Sequence, residues 1–181
     1  GEVSGELVVR GCAVRSPYLV TELAQGGTLA KVGLPLPLGE HRAILLPILA
    51  ALAHAHARGV IHRDLKPTNV LFSRPRPDGT AQLCDFGIAS AVRATTLGTA
   101  RAPVRAGTPR FMAPEQVVGD FRDLGPWTDL YALGCVAFAA ASGASPFSGA
   151  TEDVLSAHVD APIPALRPRF DVPPGLRGWI E

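Results

Sequence analysis

The sequence predicts an α+β fold in which helices dominate and the β component is small. Three observations carry this expectation. Residues 38–58 place Leu45, Leu49, Leu52 and Ala55 at helical spacing with Ile44 and Ile48 alongside, which makes a broad apolar stripe. Residues 130–141 are apolar around most of a helical circumference, the pattern of a helix buried on nearly every side. Residues 70–72 and 81–84 are short runs of strand formers, and Pro75, Pro77 and Asp78-Gly79 between them are turn signals.

Taken in order, residues 6–10 and 18–21 read as two short strands. Glu22-Leu23-Ala24 comes next, and Gln25-Gly26-Gly27 breaks the extended run as a turn; it lacks the G-x-G-x-x-G spacing of a phosphate loop. The helix over 38–58 carries Pro47, which removes a backbone hydrogen bond and should bend it, and Gly59 ends it. His54 and His56 stand two apart and face different ways, so they read as surface or packing residues rather than a metal pair. Thr128 can cap the apolar helix, with Asp129 in its first turn, and Gly143 and Pro146 close it. A short helix runs from Thr151-Glu152-Asp153 to about His158, residues 161–174 are proline-rich loop, and a last helix starts after Pro173.

Composition narrows the function classes. A hydrophobic fraction of 47% with 18% charged residues describes a globular chain. A net charge of +1 gives no pull toward nucleic acid or an anionic membrane. Cys12, Cys84 and Cys135 are odd in number and far apart, as reduced thiols of a cytoplasmic protein are. Cys84 reads as a small strand hydrophobe despite lying beside Asp85. The opening residues lack the charged and apolar regions of a signal peptide, and 130–141 is too short to cross a bilayer, which takes ~20 residues. Arginine far outnumbers lysine, and alanine and proline are abundant; this coding bias suggests a bacterial source.

The chemistry is concentrated in His62-Arg63-Asp64-Leu65-Lys66-Pro67-Thr68-Asn69, in Asp85-Phe86-Gly87, sixteen positions past Asn69 (85 − 69), and in Ala113-Pro114-Glu115. In this order these runs resemble the catalytic machinery of a eukaryotic-type protein kinase, and Lys66 two residues after Asp64 is similar to the serine/threonine branch. The resemblance covers the chain from about Tyr18 onward. It implies a protein-kinase-like fold, a mainly helical C-lobe with a remnant of the N-lobe sheet. It also implies transfer of the ATP γ-phosphate, with Mg²⁺, to Ser or Thr hydroxyls of a protein substrate. Such a transfer needs placement and positive charge rather than covalent help.

The resemblance assigns roles residue by residue. Asp64 would orient the acceptor hydroxyl or take its proton, and Lys66 would offset charge at the γ-phosphate. Asn69 and Asp85 would give oxygen ligands to Mg²⁺. Glu22 and Ala24 would meet the adenine edge through their backbone, with Thr21 as gatekeeper and Leu71 as adenine floor. Arg63 would grip a phosphorylated residue of the loop over 88–108, where Thr96 and Thr99 are preferred to Thr95, and a second copy of the kinase could supply that phosphate in trans. Thr108 resembles the threonine that bridges Asp64 and Lys66. His62, Phe86, Gly87, Glu115 and Asp129 would be structural: His62 packed, Phe86 beneath the helix above it, Gly87 permitting a backbone turn, and Asp129 bonded to the catalytic-loop backbone.

The departures from the pattern are equally informative. Lys31 and Lys66 are the only lysines, so neither an ATP-anchoring lysine nor a Gly-rich loop precedes Glu22. Residues 1–24 therefore read as an N-lobe remnant with the hinge and 25–181 as a C-lobe cut short, together one protein kinase domain. Glu115 pairs in the family with an arginine in the last helices, and Arg177 comes too early for that part; a buried, unpartnered Glu115 would cost on the order of 3–5 kcal/mol. These gaps keep a second reading open, a pseudokinase or truncated lobe that serves as a protein-binding module.

Overall fold

Two long helices and a short hairpin set the frame on which the polar loops hang. The computed structural model describes residues 21–86, 108–119 and 121–180. The strand expected over 6–10, all but Thr21 of that over 18–21, and Cys12, Gly87, Thr95, Thr96 and Thr99 lie outside the described residues; Thr21 is not in a strand.

Helix α1 (Leu29–Val32) is a single turn, and α2 (Leu38–His56) is the first long helix. Its buried face is His41, Ile44, Leu45, Ile48, Leu52 and Ala55, at steps of three and four. The stripe is thus centred on Ile44 and Ile48, and Leu49 lies at its edge. Pro47 sits inside the helix without ending it. The helix closes at His56 rather than Arg58, because Gly59 adopts φ 71° and the chain folds back, with Val60 N–H donating to Ala55 O at 3.0 Å.

The hairpin pairs β1 (Val70–Phe72) with β2 (Ala81–Leu83) antiparallel, Val70 opposite Leu83 and Phe72 opposite Ala81. Val70 and Phe72 point into the core, and Leu71 points the other way. A 3-10 turn over Pro67–Asn69 leads into β1. Arg76, in the hairpin loop, lies over the Phe72 ring and pairs with Glu40 in the first turn of α2, which ties the loop to that helix.

Beyond the second gap come α3 (Pro114–Val118) and α4 (Pro126–Ser142). Helix α4 is the buried spine: Ala132, Leu133 and every residue from Cys135 to Ala141 are shielded. It starts earlier than the sequence suggests, since Pro126 suits the first helical position and Gly125 is the cap. Thr128 does not cap as expected; it lies inside the first turn, where its Oγ accepts the Gly125 N–H at 3.1 Å. The far end is buried too, so its last carbonyls need donors. Gly143 N–H serves Ala139 O, Leu36 N–H serves Ala140 O and Arg169 N–H serves Ala141 O, at 2.8, 2.7 and 3.1 Å. Helices α5 (Thr151–Asp160) and α6 (Leu176–Ile180) complete the described fold; α5 packs on α3, and α6 on α4. Among the described residues no helix is long and apolar enough to cross a membrane.

Candidate active site

The site grows from the loop between α2 and β1. Asp129, 1% exposed at the start of α4, accepts the His62 N–H through Oδ2 and the Arg63 N–H through Oδ1, both at 2.8 Å. His56, at the last turn of α2, donates Nε2–H to the same Oδ2 at 2.7 Å. A buried carboxylate with three donors is well satisfied, and the three bonds join the end of α2, the loop and α4. Sequence reading missed this part for His56, because its partner is 73 residues away.

His62 is fully buried and orients the residues on either side of it. Its Nε2–H donates to the Cys84 carbonyl at 3.0 Å, and Nδ1 accepts the Asp64 N–H at 3.3 Å. Its ring lies 4.7 Å from that of Phe86, so Phe86 packs on His62. Cys84 N–H donates to Asn69 O at 3.0 Å. The residues on both sides of Asp85 are therefore attached to the loop that carries Asp64 and Asn69.

Three polar side chains meet on that loop. Lys66 Nζ donates to Asp64 Oδ2 at 2.7 Å, and Asn69 Nδ2 donates to the Asp64 carbonyl at 2.9 Å and to Oδ2 at 3.3 Å. Both donors fall on Oδ2, and Oδ1 makes no bond among the described residues. The Asp64–Lys66 pair stays accessible, at 29% and 23% exposure, as a site meeting a substrate must. Lys66 reaches Asp64 directly, and among the described contacts the Thr108 side chain bonds neither of them.

Backbone strain is concentrated here. Arg63 and Asp85 have φ of 66° and 59°, the only non-glycine residues with positive φ among those described. Aspartate tolerates this region, whereas arginine does so only when its surroundings enforce it. Arg63 O accepts a 2.7 Å bond from Gln116 Nε2, and the buried Arg63 Nε has no partner among the described residues.

The Asp85 carboxylate is exposed, and Asn69 is turned by its Nδ2 bonds so that, among the described residues, Oδ1 is met only by Thr68 Oγ at 3.4 Å. An acidic oxygen and an amide oxygen fit a magnesium ion, which takes few protein ligands and shares its shell with phosphate and water. The Cys84 thiol is pushed up to about 11, by burial first and by the neighbouring Asp85 charge second, so it stays protonated.

The segment after Ala24 runs onto the hairpin. Gln25 and Gly26 N–H groups donate to Ser73 and Phe72 carbonyls at 3.3 and 2.9 Å, and Phe72 N–H returns a 2.9 Å bond to Gly27 O. Thr28 forms a bridge with Leu71. Thr21 and Glu22 are exposed and Ala24 half-buried. Glu115 has a partner other than the expected arginine: Thr128 Oγ–H donates to its Oε1 at 2.6 Å, while Arg177 reaches Leu166 O. Glu115 is only half-buried and is bonded by this hydroxyl, so the expected cost of a buried, unpartnered carboxylate does not arise.

Comparison with known proteins gives the family. Residues 13–172 match the protein kinase domain, and the chain belongs to that family. It is 37% identical over 165 residues to serine/threonine-protein kinase PknL of Mycobacterium tuberculosis, covering 88% of this chain and 40% of that protein. It is 39% identical over 172 residues to PknA of the same species, covering 92% and 38%. Pkn1 of Myxococcus xanthus is 42% identical over 134 residues, covering 73% and 19%. The chain thus spans well under half the length of these relatives.

Proposed function

We propose that this chain carries the phosphoryl-transfer site of a serine/threonine protein kinase, one that moves the ATP γ-phosphate to a Ser or Thr hydroxyl of a protein. The observation that carries the reading is the Asp64–Lys66–Asn69 cluster with Asp85 held alongside through Cys84 and Phe86. Lys66 and Asn69 occupy Asp64 Oδ2, which leaves Oδ1 for the acceptor hydroxyl. As the hydroxyl oxygen bonds to the γ-phosphorus, its proton passes to Asp64, the bond to the β–γ bridging oxygen breaks, and ADP departs. Lys66 then lies beside the anionic γ-phosphoryl oxygens and offsets their charge. Magnesium, held by Asn69 and Asp85, would supply the remaining positive charge to the phosphates.

The finer assignments involve the same residues. Thr21, Glu22, Ala24 and Leu71 form the adenine side, where the segment after Ala24 joins β1. Residues 1–24 belong to an N-lobe and 25–181 to a C-lobe of one kinase domain. Arg63 Nε, without a partner among the described residues, suits a phosphate on Thr96 or Thr99, placed there by another copy in trans. The free thiols of Cys84 and Cys135 suit a bacterial cytoplasm.

The rival reading is a protein-binding lobe without transfer. Labelled-ATP transfer to a Ser/Thr-containing protein separates the two. The expected result is incorporation by the unaltered chain and a loss of about 10³-fold or more in Asp64→Asn, whose far-UV spectrum is unchanged. Equal incorporation by both proteins, or none by the unaltered chain, overturns the proposal.

A further inference from the structure

Gln116 is the third residue after Ala113 and only 9% exposed. Its Oε1 accepts the Ala113 N–H at 3.0 Å, and its Nε2 donates to the Arg63 carbonyl at 2.7 Å. The first bond is ordinary capping of α3. The second has no part in building that helix, because Arg63 lies 53 residues earlier.

Arg63 is the residue that most needs holding. Its φ of 66° sets its β-carbon against the backbone, so the conformation must be imposed from outside. Two helices impose it: Asp129 of α4 takes the N–H, and Gln116 of α3 gives to the C=O. The Arg63 carbonyl and the Asp64 N–H belong to one peptide plane. On its other side, among the described residues, this peptide has only the long 3.3 Å bond from Asp64 N–H to His62 Nδ1. Rotation of the plane would swing Asp64 away from Lys66 and Asn69.

We infer that Gln116 is a positioning residue, whose side-chain amide clamps the Arg63–Asp64 peptide and so aims the Asp64 carboxylate. Through its other end the clamp makes that aim depend on the seating of residues 108–116, the segment that leads from Thr108 into α3. The inference rests on the proposed phosphoryl transfer, in which Asp64 must face the acceptor hydroxyl.

Gln116→Glu separates the two bonds. A glutamate keeps an oxygen for the Ala113 N–H and suits the third position of a helix, but has no proton to give to Arg63 O. In the full chain kcat should fall by about 10- to 100-fold, while KM for ATP stays within about twofold. Backbone amide exchange at Arg63 and Asp64 should quicken by about tenfold. Gln116→Met, which brings no charge, should also free the loop and in addition lower the melting temperature through loss of the cap. A role confined to capping predicts unchanged kcat and exchange in Gln116→Glu, and that result overturns the inference. If the unaltered chain transfers no phosphate, the proposed activity fails, and exchange then decides the clamp by itself: unchanged rates at Arg63 and Asp64 in both variants overturn it.

Discussion

Asp129 shows how much one buried carboxylate can organise. It accepts hydrogen bonds from His56, His62 and Arg63, none of which is within 65 positions of it. Asp129→Asn keeps the volume but turns one acceptor into a donor that faces N–H groups. The loss should be about 3 kcal/mol or more, read as a lower urea midpoint, since hydrogen bonds to a charged group are each worth ~1.5–3 kcal/mol. Asp64 and Lys66 differ in kind: their pair is partly open to water, and its value lies in orientation rather than stability. The residues Asp64, Lys66, Asn69 and Asp85 were legible in the sequence because their spacing is local. Gln116 left a weaker signal, a glutamine three positions after the capping residue of a helix, which announces a cap and nothing about Arg63.

At the scale of elements, period and punctuation foretold most of the helices. Helix α4 reads as buried because it is apolar all round, and it is. Its start was misplaced, since Thr128 looks like a cap until Pro126 is allowed to open the helix. The α2 stripe is buried as expected save for Leu49, which is only partly covered, because α4 and β2 decide which side of α2 is shielded. Gly26 illustrates a demand that only the fold reveals. A β-carbon there would press into the Arg74 carbonyl oxygen and fall 2.5 Å from Phe72 Cβ, where neither neighbour can yield easily. Gly26→Ala should therefore destabilise by ~1–3 kcal/mol in chemical denaturation, by forcing the segment off β1.

For the whole molecule, one buried histidine links stability to pH. His158 on α5 lies against Tyr131 of α4 and Phe147, and the Tyr131 hydroxyl bonds its Nδ1 at 2.7 Å. The carbonyls of Pro109 and Arg110 face the ring without forming a good hydrogen bond to Nε2. Burial lowers its pKa below the ordinary 6.5, and those carbonyls offset the shift only in part. The unfolded chain therefore takes up the proton first as pH falls. This contribution is complete above about pH 6.5 and is lost as pH drops through the folded value. Urea midpoints at about pH 7.5 and 5.5 should differ less in His158→Gln than in the unaltered chain.

The sequence by itself determined most of which stretches are helix, hairpin and loop, and which side chains make up the candidate site. Both are local properties, set by a repeat of two or 3.6 residues, by caps and by short motifs. The tertiary structure alone decided the partners: Asp129 with His56, Glu115 with Thr128, Gln116 with Arg63. Such pairs arise where packed helices bring distant backbone and side chains within 3 Å, and no short-range pattern encodes that meeting.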